Sequence, residues 1–117
     1  MIGIKGMKKT IPLKSNEEAA IRGLKEELSK RFNLIDLRLF GSKARGEETP
    51  ESDIDIMIEV DESNPDIESQ IDDIIFRINL ENDTFISATI FSRRELEEGP
   101  MSESPIYKVI RKEGVPV

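Results

Sequence analysis

Two long stretches of the chain carry apolar residues three or four positions apart, which is the spacing of a helix that buries one face. The first stretch predicts a helix over about residues 16–31, with a capping segment at Ser15-Asn16. The second stretch predicts a helix over about residues 66–81. The apolar positions that define these two helices are Ala20, Ile21, Leu24 and Leu28 in the first and Ile67, Ile71, Ile74, Ile75 and Ile78 in the second.

Three shorter segments have the pattern of strands, because they alternate apolar with polar residues or are rich in β-branched side chains. Residues 35–39 predict a first strand that ends at Gly41-Ser42, and residues 54–60 predict a second strand. Residues 84–91 predict a third. On the second strand the apolar residues at even positions share one face, and the other face carries Asp53, Asp55, Met57 and Glu59.

The tail of the chain, from residue 93 onward, predicts a short helix, a break at Gly99-Pro100 and a last helix between Pro105 and Gly114. The order of elements predicts an α+β fold, a short mixed β-sheet of about three to four strands with helices packed mainly on one face. We place this domain at residues 15–117 and interpret residues 1–14 as a flexible lead-in. A small first strand is the alternative interpretation of the lead-in.

Composition excludes several kinds of chemistry. The 117 residues include no Cys and no His, which rules out disulfides, zinc-thiolate sites and a Ser-His-Asp triad. A metal ion would therefore have oxygen ligands, as Mg²⁺, Mn²⁺ and Ca²⁺ prefer. The net charge of −7 weighs against a protein that binds nucleic acid on its own. No apolar run approaches the ~20 residues that span a bilayer, and the first nine residues do not resemble a signal peptide, so we expect a cytoplasmic protein.

The candidate metal-binding and phosphate-binding residues lie where the first predicted strand ends and the second begins. Asp53 and Asp55 are two residues apart on a strand, so their side chains point to the same side with Cα atoms ~6–7 Å apart. Both carboxylates can then reach one Mg²⁺ or share a pair of them. Gly41 allows a sharp turn and close approach of a phosphate, Ser42 offers a hydroxyl and an N–H, and Arg45 could neutralise a phosphate oxygen.

Each of these features has a plain alternative explanation when it is taken alone. An isolated Asp-x-Asp is usually a pair of solvated carboxylates, and a single Arg is usually a surface residue. The combination is more informative, because two neighbouring carboxylates repel each other unless a cation neutralises them.

The combined motif resembles a known signature. Gly41-Ser42, ten intervening residues and then Asp53-x-Asp55 resemble the signature of the DNA polymerase β-like nucleotidyltransferase superfamily. The fuller runs at residues 40–46 and 52–56 are similar to its minimal nucleotidyltransferase branch. The resemblance implies that Asp53 and Asp55 bind Mg²⁺ or Mn²⁺ as catalytic residues. It also implies that Gly41 and Ser42 hold a nucleoside triphosphate, with Arg45 as an accessory phosphate contact.

The resemblance further implies a reaction and a class of partner. Members of this superfamily transfer a nucleoside monophosphate, here expected to be AMP, to a hydroxyl group. Minimal members are often paired with a helical HEPN-domain protein that they adenylylate, acting as its antitoxin. Others modify aminoglycosides or transfer nucleotides to RNA.

This sequence lacks one residue that active members of the superfamily usually have. Active members usually carry a third carboxylate on the next strand, but residues 84–91 contain no acid, and the matching position falls on Thr89 or on Ser87. Glu81 and Asp83 precede the strand. They could supply the third carboxylate only if the backbone followed a different local path. Glu59 lies about 13–20 Å along its strand from the pair, which is too far.

Three interpretations therefore remain open from the sequence, of which a purely structural acidic domain leaves the carboxylate pair unexplained. The first is a metal-dependent nucleotidyltransferase, and the second is a weakly active or inactive module that binds a nucleotide and docks a partner. The small size predicts a partner chain or self-association. Ile106, Tyr107, Val109 and Ile110 of the last helix are candidates for that surface, unless they cover the domain's own core.

Overall fold

The structure, a computed structural model, describes residues 13–45 and 53–117, with only the backbone at Ser42 and Arg45. Helices and strands alternate as far as the third strand, and two short helices and a 3₁₀ turn then precede the last strand. The helices are α1 (Ser15–Arg31), α2 (Gly41–Arg45), α3 (Pro65–Asn82), α4 (Arg93–Glu98) and α5 (Pro105–Glu113), with a 3₁₀ turn at Pro100–Glu103. The strands are β1 (Leu34–Phe40), β2 (Ile54–Val60), β3 (Ile86–Ser92) and β4 (Val115–Pro116).

The strands form a four-stranded mixed sheet in the order β3-β2-β1-β4. β1 runs antiparallel to both β2 and β4, and β3 runs parallel to β2. The parallel pair is joined by α3, which returns the chain to the starting end of the sheet. The α+β fold and the mixed sheet that the sequence predicts are confirmed.

The larger part of the core lies on one face of the sheet. The isoleucines of β2 on this face, Ile54, Ile56 and Ile58, have no exposed surface. They pack with the buried faces of α1 and α3, whose apolar residues are the ones that the helical spacing picked out. The two long helices therefore cover this face, as the pattern predicts.

The shorter helices cover part of the opposite face with a second, smaller cluster. Met57 and Phe91 from the sheet pack there against Leu96 of α4 and Ile110 of α5. The Tyr107 ring meets Phe91 edge-on, with 5.2 Å between ring centroids. Tyr107 and Ile110 thus belong to the domain's own core, whereas the neighbouring apolar residues of α5 remain about half exposed.

Element ends differ from the predicted ones where side chains bind the backbone. α3 begins at Pro65 because the Asn64 side chain accepts a hydrogen bond from the Ile67 N–H. β3 begins two residues later than predicted, at Ile86. Over the described ranges, no helix is long and apolar enough to cross a membrane.

Candidate functional site

The two halves of the candidate motif meet where β1 ends and β2 begins. Phe40, the last residue of β1, pairs with Asp55 across the antiparallel ladder. The next residue, Gly41, has a positive φ of 77°, which turns the chain sharply into α2. A Cβ atom added at Gly41 would lie only 2.2 Å from Oδ2 of Asp55. The Gly41 backbone therefore lies directly against the Asp55 carboxylate, and only glycine leaves room for that approach.

The two aspartates differ in their exposure. Asp53 immediately precedes β2 and is exposed, whereas Asp55 lies within the strand and is half-buried. Because they are two positions apart along an extended backbone, their side chains project from the same side of the sheet. The pair thus forms an acidic end of β2 that is open to solvent at Asp53.

α2 carries the other candidate residues. Gly41, Ser42 and Arg45 belong to this five-residue helix, and positions 42 and 45 are three residues apart, on one side of it. The side chains of Ser42 and Arg45 lie outside what the structure describes. Their roles toward phosphate therefore stay predictions.

The register of β3 identifies which residue accompanies the aspartate pair. Ser87 is the register partner of Asp55, and Thr89 is the partner of Met57 one step further along. Ser87 is exposed and Thr89 is half-buried. Neither side chain is a carboxylate. Among the described residues, no group of three or more acidic, histidine or cysteine side chains is arranged to hold a metal ion.

The other acids considered from the sequence are placed elsewhere. Glu81 is in the last turn of α3, where it pairs with Arg77 at 3.5 Å. Asp83 caps the same helix in a left-handed conformation, with φ of 55°. Glu59 lies four residues beyond Asp55 on β2, ~13 Å along the strand. It is buried and forms an ion pair with the Arg93 side chain.

This ion pair keeps Glu59 out of the candidate site. The hydrogen bond from Arg93 to Glu59, followed by the attraction of the Glu59 charge, raises the pKa of Arg93 further above its already high usual value. When the pKa of a cationic group is raised in the folded state, the stability that its ion pair contributes is present below that pKa. It is lost only as the pH rises through that pKa. The guanidinium is therefore charged throughout the neutral range, and Glu59 remains its partner.

A fully buried ion pair was not anticipated from the sequence. Lys43 of α2 is 2% exposed, and its Nζ lies 3.2 Å from Oε2 of Glu17 in the first turn of α1. The other oxygen of Glu17 accepts a hydrogen bond from the Lys14 N–H at 2.9 Å. Ala44, the next residue of α2, is also buried. Lys43 and Ala44 together hold α2 against the body of the protein, and so determine how Gly41 is presented to Asp55.

The carboxylates of Asp53 and Asp55 suit a divalent cation such as Mg²⁺. Two carboxylates, one of them exposed to solvent, are the ligands that Mg²⁺ commonly uses together with water and the phosphates of a substrate. The Asp55 carboxylate lies against the Gly41 backbone, at the start of the turn that leads into α2. Ser87, beside Asp55, could contribute a hydroxyl but no charge.

Comparison with known proteins finds a family whose match spans the site. A sequence profile of the nucleotidyltransferase domain family matches residues 21–111, a range that includes Gly41, Asp53 and Asp55. A Methanocaldococcus jannaschii protein, provisionally named a protein adenylyltransferase, is 52% identical over 44 residues. Those residues are 38% of this chain and 44% of that protein, so the chain spans less than half the length of this curated relative.

A solved structure from Sulfolobus solfataricus, provisionally described as a nucleotidyltransferase, is also similar. It is 28% identical in sequence, and the match covers 95% of this chain and 90% of that one, with a TM-score of 0.48.

Proposed function

The chain belongs to the nucleotidyltransferase domain family, and from that membership we propose that it binds a nucleoside triphosphate with Mg²⁺ or Mn²⁺ and transfers AMP to a hydroxyl group on a protein. The proposed acceptor is a HEPN-domain protein, for which this chain is the antitoxin. Asp53 and Asp55 hold the metal, and Gly41, Ser42 and Arg45 contact the triphosphate.

One observation carries this proposal. The Gly41 backbone lies so close to the Asp55 carboxylate that a Cβ there would be 2.2 Å from Oδ2. The contact places the glycine of the candidate phosphate-binding turn next to the candidate metal ligand. A triphosphate held at the turn would therefore have its phosphates beside both aspartates.

In the proposed reaction an acceptor oxygen attacks the α-phosphorus. A new oxygen–phosphorus bond forms to the acceptor, the bond from the α-phosphorus to its bridging oxygen breaks, and pyrophosphate leaves. The hydroxyl proton is released to water. A bound divalent cation neutralises phosphate oxygens and makes the hydroxyl more acidic. Asp53 and Asp55 orient the nucleotide, and the Gly41 turn fixes its distance from them.

The test is calorimetric titration of ATP and of GTP, each with and without Mg²⁺. We expect metal-dependent binding by the wild type and its loss in Asp53→Asn/Asp55→Asn, because the neutral amides no longer attract the cation. Asp72→Asn/Asp73→Asn, on the exposed surface of α3, is the control that removes the same charge elsewhere. Equal binding by wild type and Asp53→Asn/Asp55→Asn would contradict the proposed site.

A second candidate function is a module that binds the nucleotide but transfers it slowly or not at all. The observation that favours it is the register of β3, which places Ser87 rather than an acid beside Asp55. In the first candidate a labelled AMP group appears on the acceptor protein. In the second, ATP binds with metal but no label is transferred.

Substitution at β3 separates these two functions further. Ser87→Asp supplies a carboxylate one strand spacing from Asp55, ~5 Å between backbones, and Thr89→Asp supplies one a step further along. If the missing acid limits the reaction, one of these variants will increase label transfer. Ser69→Asp, on exposed α3, adds the same charge away from the site and should have no effect.

A further inference from the structure

An apolar groove lies between the last turns of α3 and the segment that leads into β3. Three large apolar side chains line it and are about two-thirds exposed: Phe76 at 66%, Leu80 at 70% and Phe85 at 67%. The groove has a volume of about 310 Å³, and its other lining residues are Asn79, Asp83 and Thr84. Clustered exposure of this kind is typical of surfaces that bind another molecule.

The walls of the groove are held together by the Asn79 side chain. Its Oδ1 accepts hydrogen bonds from Thr84 Oγ1 at 2.9 Å and from the Ile86 N–H at 2.8 Å. Its Nδ2 donates to the Ile86 carbonyl at 3.2 Å. Because α3 and the start of β3 are tied in this way, the groove exists before anything binds, and a ligand need not order it.

The groove adjoins the candidate active site through the backbone. The Phe85 carbonyl accepts a hydrogen bond from the Ile54 N–H at 2.8 Å, and Ile54 is the residue between Asp53 and Asp55. The end of the groove is thus one strand spacing, ~5 Å in the backbone, from the aspartate pair. Because the aspartate side chains project from the face of the sheet opposite α3, a molecule seated on Phe85 would reach the proposed point of transfer around the outer edge of β3.

The charges around the groove favour a cationic ligand. Asp83 lines it, and Asp72, one helical turn before Phe76, is exposed. The cation on this part of α3, Arg77, is already paired with Glu27 at 3.1 Å and Glu81 at 3.5 Å. Among the described residues that line the groove, the charged group that remains for a ligand is therefore the Asp83 carboxylate.

We propose that this groove is the docking site for the acceptor: a polypeptide segment that presents large apolar side chains and a Lys or Arg beside its acceptor hydroxyl. The inference rests on the proposed function, and it adds how the acceptor is chosen. A polypeptide fits better than a nucleic acid because the carboxylates repel phosphates. β3 is also the outer strand of the described sheet, whose free edge can pair with an extended peptide.

The test uses two short synthetic peptides with a central Tyr and a fluorescent label. One has Leu, Phe and Lys around the Tyr, and its match has Ser in place of Leu and Phe. We expect the first peptide to bind the wild type and Phe76→Ser/Leu80→Ser to weaken that binding by about tenfold or more, since two exposed anchors are removed. The control is Ile106→Ser/Val109→Ser, which removes two exposed apolar residues, at 48% and 46%, from α5.

The outcomes test the docking role of the groove separately from nucleotide binding and transfer at the aspartate pair. Peptide binding that survives Asp53→Asn/Asp55→Asn and fails in Phe76→Ser/Leu80→Ser supports the groove, whether or not ATP binds. Metal-dependent ATP binding should be unchanged in Phe76→Ser/Leu80→Ser. No preference between the two peptides, equal loss in the α5 control, or tighter binding of a single-stranded RNA than of the apolar peptide would overturn the inference.

Discussion

Two glycines of this chain illustrate how differently the same residue type can be constrained. Gly41 has a positive φ and faces the Asp55 carboxylate at a distance that excludes any side chain. Gly23 lies inside α1, and a Cβ added there would meet no atom within 4 Å. The geometry of the site requires glycine at position 41, whereas Gly23 only lowers the stability of its helix.

Gly41→Ala is therefore expected to damage both the fold and the site. The left-handed conformation alone costs an alanine about 1–2 kcal/mol, and the contact with Oδ2 adds to that by pushing the Asp55 carboxylate away. Metal-dependent nucleotide binding should be lost or strongly weakened. Urea denaturation measures the first effect and calorimetry the second.

Gly23→Ala is the matched control for this substitution. Alanine is a better helix former than glycine by up to about 1 kcal/mol, so this variant should gain stability and bind the nucleotide normally. A Gly41→Ala protein with wild-type stability and affinity would show that the turn does not take part in the site.

At the level of elements, the position of α2 depends on a buried pair of charges. A helix of five residues has little stability of its own, and tertiary contacts must hold it in place. Lys43 and Glu17 supply such a contact between α2 and α1, with side chains 2% and 9% exposed. Burial of this kind makes the loss of one partner costly, because the other charge remains in the interior.

Lys43→Met is expected to lower the free energy of unfolding by about 3 kcal/mol or more, since Glu17 then lacks its cation. Lys43→Met/Glu17→Gln should recover part of that loss, because no charge remains and the amide oxygen can still accept the Lys14 N–H. Chemical denaturation compares the two. A double variant no more stable than Lys43→Met would contradict the ion-pair explanation.

For the molecule as a whole, the sign of the net charge limits its partners. A net charge of −7 on 117 residues weighs against a broad cationic surface for a phosphate backbone. The proposed triphosphate differs from a nucleic acid in this respect, because it arrives with metal ions that offset its charge. The groove and the aspartate pair also lie at the same end of the sheet, because the Phe85 carbonyl accepts a hydrogen bond from the Ile54 N–H.

We therefore expect no saturable binding of single-stranded RNA or duplex DNA at physiological salt in the absence of a partner. Fluorescence anisotropy with labelled oligonucleotides measures this directly. Binding that weakens steeply as salt is raised would indicate a cationic surface and would contradict the expectation.

The sequence by itself determined the family and the order of the elements from α1 to α5, but it did not locate β4 at Val115–Pro116. Helical and strand spacings depend only on the local backbone period, so α1, α3 and β2 could be located from their apolar positions. The same local period places Asp53 and Asp55 on one side of a strand. The motif from Gly41 to Asp55 was specific enough to identify the family without any structure.

The tertiary structure decided the contacts between residues that are distant in the chain. Strand register pairs Asp55 with Ser87 rather than with Thr89, and a shift of register along β3 would change that pairing without changing the sequence pattern. The burial of Lys43 against Glu17 depends on how two helices meet. The groove likewise exists because α3 returns the chain to the start of β3, beside the residue that separates the two aspartates.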